Sequence, residues 1–275
     1  MVESKAKTVS ESLFEEYLCS NGYRDWTYEP QIGKQSKHPD YLLRHAGSES
    51  LFEVKEIHEK RPKPPGLVVV NPYRALRSKI HEARVQFQRL KDYCCSLVVC
   101  NISDWEATLD PEVVFGAMLG DLGFAIDFDA AAGQLVPGTE RNTFLDGGKM
   151  IRYKTGDPQN TTISAIVVLE RYRVPDLEFD EAVKEEIVRR EESTQQTLSV
   201  DERFKLRFDM YSRHPLRTRA LPRVCVVENP VARIPFPDDL FRGELDEHWR
   251  LLTRAERTFT GDLLQDIEQA AEDGL

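Results

Sequence analysis

The sequence of 275 residues lacks the long apolar runs and the leader segments that mark membrane and secreted proteins. Its apolar runs, such as 96–100 and 165–170, are far shorter than the roughly 20 residues of a membrane-spanning helix. The first 14 residues mix charges and contain no apolar stretch typical of a signal peptide. We therefore expect a cytoplasmic protein with no membrane segment.

Cysteine is scarce, and its spacing does not suit a metal site. None of the five cysteines forms a CxxC pair or a Cys/His ligand pattern. An odd number of cysteines without an export signal indicates reduced thiols, and we expect no structural zinc. The chain also lacks a Walker loop, a glycine-rich nucleotide fingerprint and a nucleophile elbow. These absences exclude several common classes of nucleotide-binding protein and hydrolase.

The chain has a net negative charge, but its charged residues are unevenly distributed. The net charge is −10, yet residues 1–100 carry 16 Lys and Arg against 13 Asp and Glu, a net of +3. The remaining 175 residues therefore carry −13. Net charge governs non-specific attraction, so a locally basic cleft for nucleic acid remains compatible with this chain. The acidic C-terminal region suits a protein partner better, and the sequence does not determine the oligomeric state.

The periodicity of apolar residues predicts an α/β domain with a mixed sheet. We expect one domain, in which a core at 8–171 has an insertion near 104–160. An extension at 172–275 is expected to pack on this core. The predicted elements are a helix at 10–22, strands at 25–32, 40–45 and 50–57, a helix at 71–93, strands at 94–102, 161–171 and 223–228, and a short helix after Pro111. The helix at 71–93 has apolar residues at helical spacing, namely Leu76, Ile80, Ala83, Phe87 and Leu90. We also expect a charged helix or a disordered excursion at 180–196 and a polar helix at the C-terminus.

Residues 38–57, "HPDYLLRHAGSESLFEVKEI", predict a β-hairpin with three charges in otherwise apolar strands. A loop at Gly47-Ser48, as in a type II′ turn, would place Asp40 opposite Lys55. Because side chains alternate between faces, Asp40, Glu53 and Lys55 then share one face. The other face is apolar and carries Tyr41, Leu43, Phe52 and Val54.

Two carboxylates on one sheet face suit Mg²⁺ or Mn²⁺, which prefer oxygen ligands and bind substrate phosphates. Asp40 and Glu53 would supply these ligands, and the carbonyl of Val54 is a candidate third ligand. Lys55 would orient or deprotonate an attacking water, or stabilise the charge that develops on phosphate. The alternative is a cross-strand ion pair of Asp40 with Lys55, worth about 0.2–1 kcal/mol, with Glu53 in solvent.

Pro39-Asp40 followed by Glu53-Val54-Lys55 resembles the signature of the PD-(D/E)xK, or restriction-endonuclease-like, nuclease superfamily. The resemblance covers residues 8 to 103, and the predicted element order there matches the αβββαβ core of that superfamily. It implies a Mg²⁺-dependent nuclease in which Asp40 and Glu53 bind the metal and Lys55 assists the nucleophilic water. It also implies that DNA is the substrate.

Members of this superfamily often add a glutamate from the first helix to the metal site. Glu11, Glu15 and Glu16 are the candidates here. Glu11 lies nearest the edge of the apolar stripe of this helix, so we choose it as a further metal ligand. The alternative is that all three side chains are solvated.

Candidate contacts to nucleic acid come from the second helix and the loop before it. Arg77, His81, Arg84, Gln88 and Lys91 recur at helical spacing and form one polar stripe. Of these we select Arg77, Arg84 and Gln88, together with Lys60 and Arg61 of the basic loop, to contact phosphates. The alternative is an ordinary solvated helix face.

Three functions are compatible with these patterns. The leading hypothesis is a Mg²⁺-dependent phosphodiesterase that cleaves DNA by attack of an activated water. A second is a catalytically inert protein that keeps the nuclease fold as a binding scaffold, which the acidic C-terminal region motivates. A third is an RNA-directed nuclease of the same fold.

Overall fold

The computed structural model describes residues 6–32, 38–58, 71–104, 107–139, 141–145, 147–152, 155–175, 177–213 and 218–251. Within these ranges, no helix has both the length and the apolar character needed to cross a membrane. The chain divides into two compact units. The first comprises Met1–Glu170 with Arg223–Leu275, and the second is Arg171–Pro222.

The first part of the chain forms a helix, three strands, a helix and a strand, in the predicted order. These elements are α1 (Val9–Ser20), β1 (Trp26–Tyr28), β2 (Tyr41–His45), β3 (Ser48–Ile57), α2 (Arg74–Phe87) and β4 (Cys94–Asn101). Helix α2 is shorter than the predicted 71–93. After Phe87 the chain turns, with the Leu90 amide donating to the Phe87 carbonyl at 2.9 Å, and then enters β4.

Seven strands form one mixed sheet in the order β1-β2-β3-β4-β9-β10-β11, where β9 is Ile163–Pro175, β10 is Thr218–Glu228 and β11 is Glu247–Trp249. Strands β1, β2 and β3 pair antiparallel, whereas β3, β4 and β9 pair parallel. This confirms the predicted α/β class and the mixed sheet. It also confirms that the strands expected near 161–171 and 223–228 join that sheet.

Between β4 and β9 the chain forms a short helix and two small ladders. Helix α3 (Pro111–Leu119) begins after Asp110 with proline in its first turn, as predicted. Strand β5 (Leu122–Ala125) pairs with β8 (Arg141–Phe144), and β6 (Phe128–Asp129) pairs with β7 (Gln134–Leu135). These ladders lie in separate sheets and supply no strand to the seven-stranded sheet.

Each face of the sheet has its own apolar core, because side chains alternate along the strands. One face buries Leu42, Leu51 and Leu97 against helix α2. All five apolar positions predicted for the second helix, from Leu76 to Leu90, are buried in this core. The opposite face packs the aromatic residues of the hairpin on helix α1 and on the C-terminal segment, through Phe14, Tyr17, Tyr41, Phe52 and Phe241.

The hairpin turn lies at Ala46-Gly47, so the predicted loop at Gly47-Ser48 is wrong. Both turn residues have positive φ, 46° for Ala46 and 81° for Gly47. Positive φ at both positions characterises a type I′ turn, whose twist matches that of the strands. The observed register pairs Leu42 with Leu51 and brings Arg44 opposite Glu49, where they form an ion pair of 2.8 Å.

This register differs from the predicted one by two residues, and an even shift returns every side chain to its predicted face. Asp40 therefore lies level with Glu53, one residue before β2 begins, and not opposite Lys55. The assignment of Asp40, Glu53 and Lys55 to one face is unaffected. Of the residues predicted for the apolar face, Tyr41, Leu43, Phe52 and Val54 all lie in the core packed on α1.

The second unit consists of two helices and the outer ends of β9 and β10. Helix α4 spans Leu177–Thr194 and helix α5 spans Val200–Arg213. They share a small core of Val183, Ile187 and Leu206, against which Leu198 and Met210 pack. The sequence predicted a charged helix or a disordered excursion for the region of α4, and it did not predict α5. The polar helix expected at the C-terminus lies outside the described residues.

Candidate active site

Asp40 is fixed at the start of the hairpin by the backbone of the facing strand. Its Oδ2 accepts a hydrogen bond of 2.7 Å from the Val54 amide. Burial raises the pKa of Asp40, and Glu11 and Glu29 raise it further, while the Val54 amide and Lys55 act to lower it. The N–H and C=O of a strand residue point to the same neighbour. The carbonyl of Val54 therefore points to the side of β3 on which Asp40 lies.

Glu53 is a carboxylate with no exposed surface, in the middle of β3. Its Oε1 is paired with the ammonium of Lys55. Among the residues that the structure describes, the buried Oε2 has no hydrogen-bond partner that meets the geometric criteria, although the Gln86 amide is near enough to act on the carboxylate. Burial and the nearby Asp40 raise the pKa of Glu53 to about 7, although Lys55 and the Gln86 amide act to lower it. A buried carboxylate oxygen without a donor is costly unless a cation or proton neutralises it.

Lys55 is held beside Glu53 from the same strand and the same face. Burial alone would lower the pKa of Lys55, but the charge and hydrogen bond of Glu53 outweigh burial, and the pKa is raised. Asp40 and Glu82 raise this pKa further. Lys55 is therefore an ammonium at neutral pH, which fits charge stabilisation and positioning better than proton abstraction.

The ion-pair alternative fails in its geometry. Lys55 pairs with Glu53 and not with Asp40, and Glu53 is buried instead of lying in solvent. A pairing of Asp40 with Lys55 required the register that the type I′ turn excludes. Asp40, Glu53 and Lys55 lie on one face of the hairpin, with Asp40 level with Glu53 and not with Lys55.

Gln86 of helix α2 is a site residue that the sequence prediction missed. Its Nε2 donates to the carbonyl of His38 at 2.9 Å, and its amide also acts on the pKa of Glu53. It thereby links α2 to the segment that leads into Asp40. His38 contributes its carbonyl to this contact, while its Nδ1 accepts from the Ile32 amide at 3.4 Å.

Glu11 lies near the site but is engaged in capping helix α1. Its Oε2 accepts from the Thr8 amide at 2.5 Å and completes a capping box, and its Oε1 accepts from the Tyr28 hydroxyl at 3.3 Å. Glu11 is buried, and it is close enough to raise the pKa of Asp40. Glu15 is instead bound to Lys7 and Tyr41, which separates it from this role.

The residues present fit a hard divalent cation. Burial raises the pKa of both Asp40 and Glu53, Asp40 raises that of Glu53 further, and the buried Oε2 of Glu53 has no hydrogen-bond partner among the described residues. The donors are carboxylate and carbonyl oxygens, the ligands that Mg²⁺ and Mn²⁺ prefer. Within the described residues, no group of three or more His, Cys, Asp or Glu side chains is arranged to hold a metal. A cation at Asp40 and Glu53 would therefore need the Val54 carbonyl, water or substrate phosphate as further ligands.

Of the phosphate contacts predicted on α2, Arg77 is engaged within the protein. Arg77 donates to the carbonyl of Gly116 at 2.8 Å, pairs with Asp121 at 2.6 Å and stacks on Tyr73. This places Arg77 in the contact between α2 and the chain around α3. Gln86 and the stripe of Arg77, Arg84 and Gln88 occupy opposite flanks of the helix, about 180° apart.

Arg84 and Gln88 are exposed. Gln88 borders an open hollow of about 520 Å³ with Arg89, Lys91, Asp92 and Arg233. Three of these five residues are cations, which makes the hollow the clearest basic surface near the end of α2. Lys60 and Arg61 lie outside the described residues.

No family model, curated protein or solved structure matches this chain.

Proposed function

We propose that this chain is a metal-dependent nuclease that hydrolyses the phosphodiester bonds of DNA. The observation that carries the proposal is Glu53, a fully buried carboxylate with one unpartnered oxygen, beside Asp40 and paired with Lys55. A buried carboxylate oxygen without a hydrogen-bond donor favours a site that a cation occupies when the substrate binds.

The element order supports membership of the PD-(D/E)xK superfamily. The chain follows α1, β1, β2, β3, α2 and β4, with Asp40 before β2 and Glu53 and Lys55 on β3. In that superfamily, the same positions carry the metal ligands and the lysine. The cytoplasmic location and the DNA substrate are parts of the same proposal.

Asp40, Glu53 and the Val54 carbonyl would hold Mg²⁺ or Mn²⁺, which would supply electrophilic activation of the phosphodiester and of the attacking water. The chain's own residues position the reactants. The Val54 amide fixes Asp40, and Gln86 ties the segment before Asp40 to α2. The Lys55 ammonium stabilises the negative charge that develops on the phosphate oxygens.

The hollow beside Gln88 is the proposed surface for the nucleic-acid backbone. Arg89, Lys91 and Arg233 present cations there without the contacts that occupy Arg77. Contacts to phosphate give affinity but little sequence preference. The proposal therefore predicts salt-sensitive binding to DNA through this surface.

A cleavage assay tests the proposal. Purified chain is incubated with linear, circular, single-stranded and branched DNA, and with matched RNA, in Mg²⁺, in Mn²⁺ or in EDTA. We expect cleavage of DNA only with the metal, and its loss in Asp40→Asn, Glu53→Gln and Lys55→Met. Glu49→Gln is the matched control, because Glu49 is an exposed carboxylate on the same strand.

Two outcomes would overturn the proposal. The first is an absence of metal-dependent cleavage for every DNA tested, in a preparation that is folded. The second is cleavage that persists in all three site variants, which would indicate a contaminating enzyme. Cleavage of RNA but not of DNA would indicate the alternative function, an RNA-directed nuclease.

A further inference from the structure

The second unit carries an exposed apolar face that its own core does not use. Leu206 and Met210 of helix α5 point into the small core shared with α4. Phe204 and Phe208 lie on the far side of α5, about 160–200° round the helix from Leu206. They are 70% and 64% exposed, and Val200, one turn before Phe204, is 83% exposed. Exposed apolar stripes of this kind mark interaction surfaces.

Two cations border this stripe, together with the exposed Asp201, three residues before Phe204. Arg207 lies three residues after Phe204, and Lys205 lies three residues before Phe208, so each cation is next to a phenyl ring on the helix surface. Both cations are exposed. Arg203, in contrast, is bound to Glu191 of α4 at 2.6 Å and holds the two helices together.

The outer face of α4 has the opposite charge. Val188 is 51% exposed, and Glu185 and Glu192 lie beside it at helical spacing, three residues before and four residues after. Both glutamates are exposed. Other charges of α4 are paired within the helix, as in the ion pairs of Lys184 with Glu181 and of Arg189 with Glu186, both at 2.6 Å.

We propose that α4 and α5 form a self-association surface, on which a second copy of this chain docks. The Phe204 and Phe208 stripe of one copy packs on Val188 of the other, and Lys205 and Arg207 meet Glu185 and Glu192. Since each copy carries both the basic and the acidic apolar face, the same contact forms twice around a two-fold axis. The proposed assembly is therefore a closed dimer.

Charge balance favours a second copy over nucleic acid as the occupant. Residues 171–222 contain eleven Lys and Arg and eleven Asp and Glu, so this unit has no net charge. Helix α4 carries seven acidic against three basic residues, whereas α5 carries three acidic against four basic residues. A nucleic-acid strand would meet the acidic helix as well as the basic one. A second copy offers each helix its complement.

The oligomeric state of the full chain tests this proposal. Sedimentation equilibrium from about 1 to 100 µM at low salt should give a species of twice the monomer mass of 31.6 kDa. Phe204→Ser/Phe208→Ser should weaken the dimer at least about tenfold, which corresponds to about 1.4 kcal/mol. Both substitutions are at exposed positions, and circular dichroism verifies that the variant is folded. Val9→Ser, at another exposed apolar position, is the control that should leave the dimer unchanged.

A charge exchange makes the test specific. Lys205→Glu/Arg207→Glu should abolish self-association, because both outer faces are then acidic. Glu185→Lys/Glu192→Lys should abolish it as well, because both faces are then basic. An equimolar mixture of the two variants should form a heterodimer, in which each altered face meets its opposite.

Three results would overturn the proposal. A wild-type chain that stays monomeric over the whole concentration range has no such surface. A dimer that survives both the phenylalanine and the charge variants uses another surface. A monomer whose oligonucleotide binding in EDTA is lost in Lys205→Glu/Arg207→Glu uses this face for nucleic acid. None of these measurements depends on cleavage, so they stand apart from the proposed nuclease activity.

Discussion

The carboxylate of Asp40 and the amide of Val54 are joined by a hydrogen bond of 2.7 Å that ties the start of the hairpin to its facing strand. Asp40 itself precedes β2, and its carbonyl accepts a hydrogen bond of 2.8 Å from the Glu29 amide. The bond holds its carboxylate level with Glu53, and it turns an unpaired strand amide into a site contact. The position of the two carboxylates therefore depends on a backbone donor that no side-chain substitution removes.

Glu53 should make the stability of the metal-free chain depend on pH. Its pKa is about 7 when folded, against an ordinary value of 4.5, so the folded chain binds more protons between these values. Stability should fall as pH rises from about 4.5 to 7, by about 3 kcal/mol in total. Urea unfolding in EDTA across this range measures it. Glu53→Gln should remove most of the slope, and an unchanged slope in that variant would contradict the assignment.

A divalent cation should stabilise the wild-type chain at pH 8, where both carboxylates are ionised. A ligand that binds only the folded state at ten times its Kd adds about 1.4 kcal/mol. Thermal unfolding in Mg²⁺, in Mn²⁺ and in EDTA checks this. The gain should vanish in Asp40→Asn and in Glu53→Gln but persist in Glu49→Gln. An equal gain in all four proteins would indicate non-specific binding.

Lys55→Met should destabilise the chain, because Glu53 is then buried without its partner and must either stay charged or take up a proton. Removing one member of a buried ion pair typically costs about 3–5 kcal/mol. The double variant Glu53→Gln/Lys55→Met should recover most of this loss, since no charge then remains without a partner. Chemical denaturation of the wild type, both single variants and the double variant forms a complete cycle. Additive losses would show that the two residues do not interact.

Arg77→Ala should lower stability and leave DNA affinity unchanged. Arg77 donates to the Gly116 carbonyl and pairs with Asp121, and hydrogen bonds to charged groups contribute about 1.5–3 kcal/mol. Fluorescence anisotropy with a labelled oligonucleotide in EDTA measures affinity apart from cleavage. Lys91→Ala should do the reverse and weaken binding while stability stays the same. A loss of affinity in Arg77→Ala alone would return Arg77 to the binding surface.

The faces of the hairpin were predictable, because alternation with period two depends only on the parity of the register. The turn was not, because the positive φ of Ala46 is uncommon for alanine and is selected by the pairing of Leu42 with Leu51. A two-residue error in register leaves every side chain on its predicted face. The prediction that Asp40, Glu53 and Lys55 share a face therefore did not depend on the predicted turn, which was wrong.

Gln86 was missed because α2 is polar on both flanks of its apolar stripe. The sequence prediction followed the basic flank, whereas the hairpin lies beside the flank of Gln86 and Glu82. Parallel strands joined by a helix cross over almost always in the right-handed sense. Applied to β3, α2 and β4, that rule could have indicated which flank of α2 lies beside Asp40. Helix α5 was missed because its exposed face carries Val200, Phe204 and Phe208, which break the expected pattern of a polar outer face.

The type I′ turn at Ala46-Gly47 also limits which changes in hairpin length related chains can carry without loss of the site. Lengthening the hairpin by one residue within a strand would send Asp40 to the aromatic face, while Glu53 and Lys55 stayed in place. Lengthening it by two would restore all three to a common surface. Related chains that keep this chemistry should therefore differ in hairpin length by even numbers, and an odd difference should coincide with a bulge or with the loss of the carboxylates.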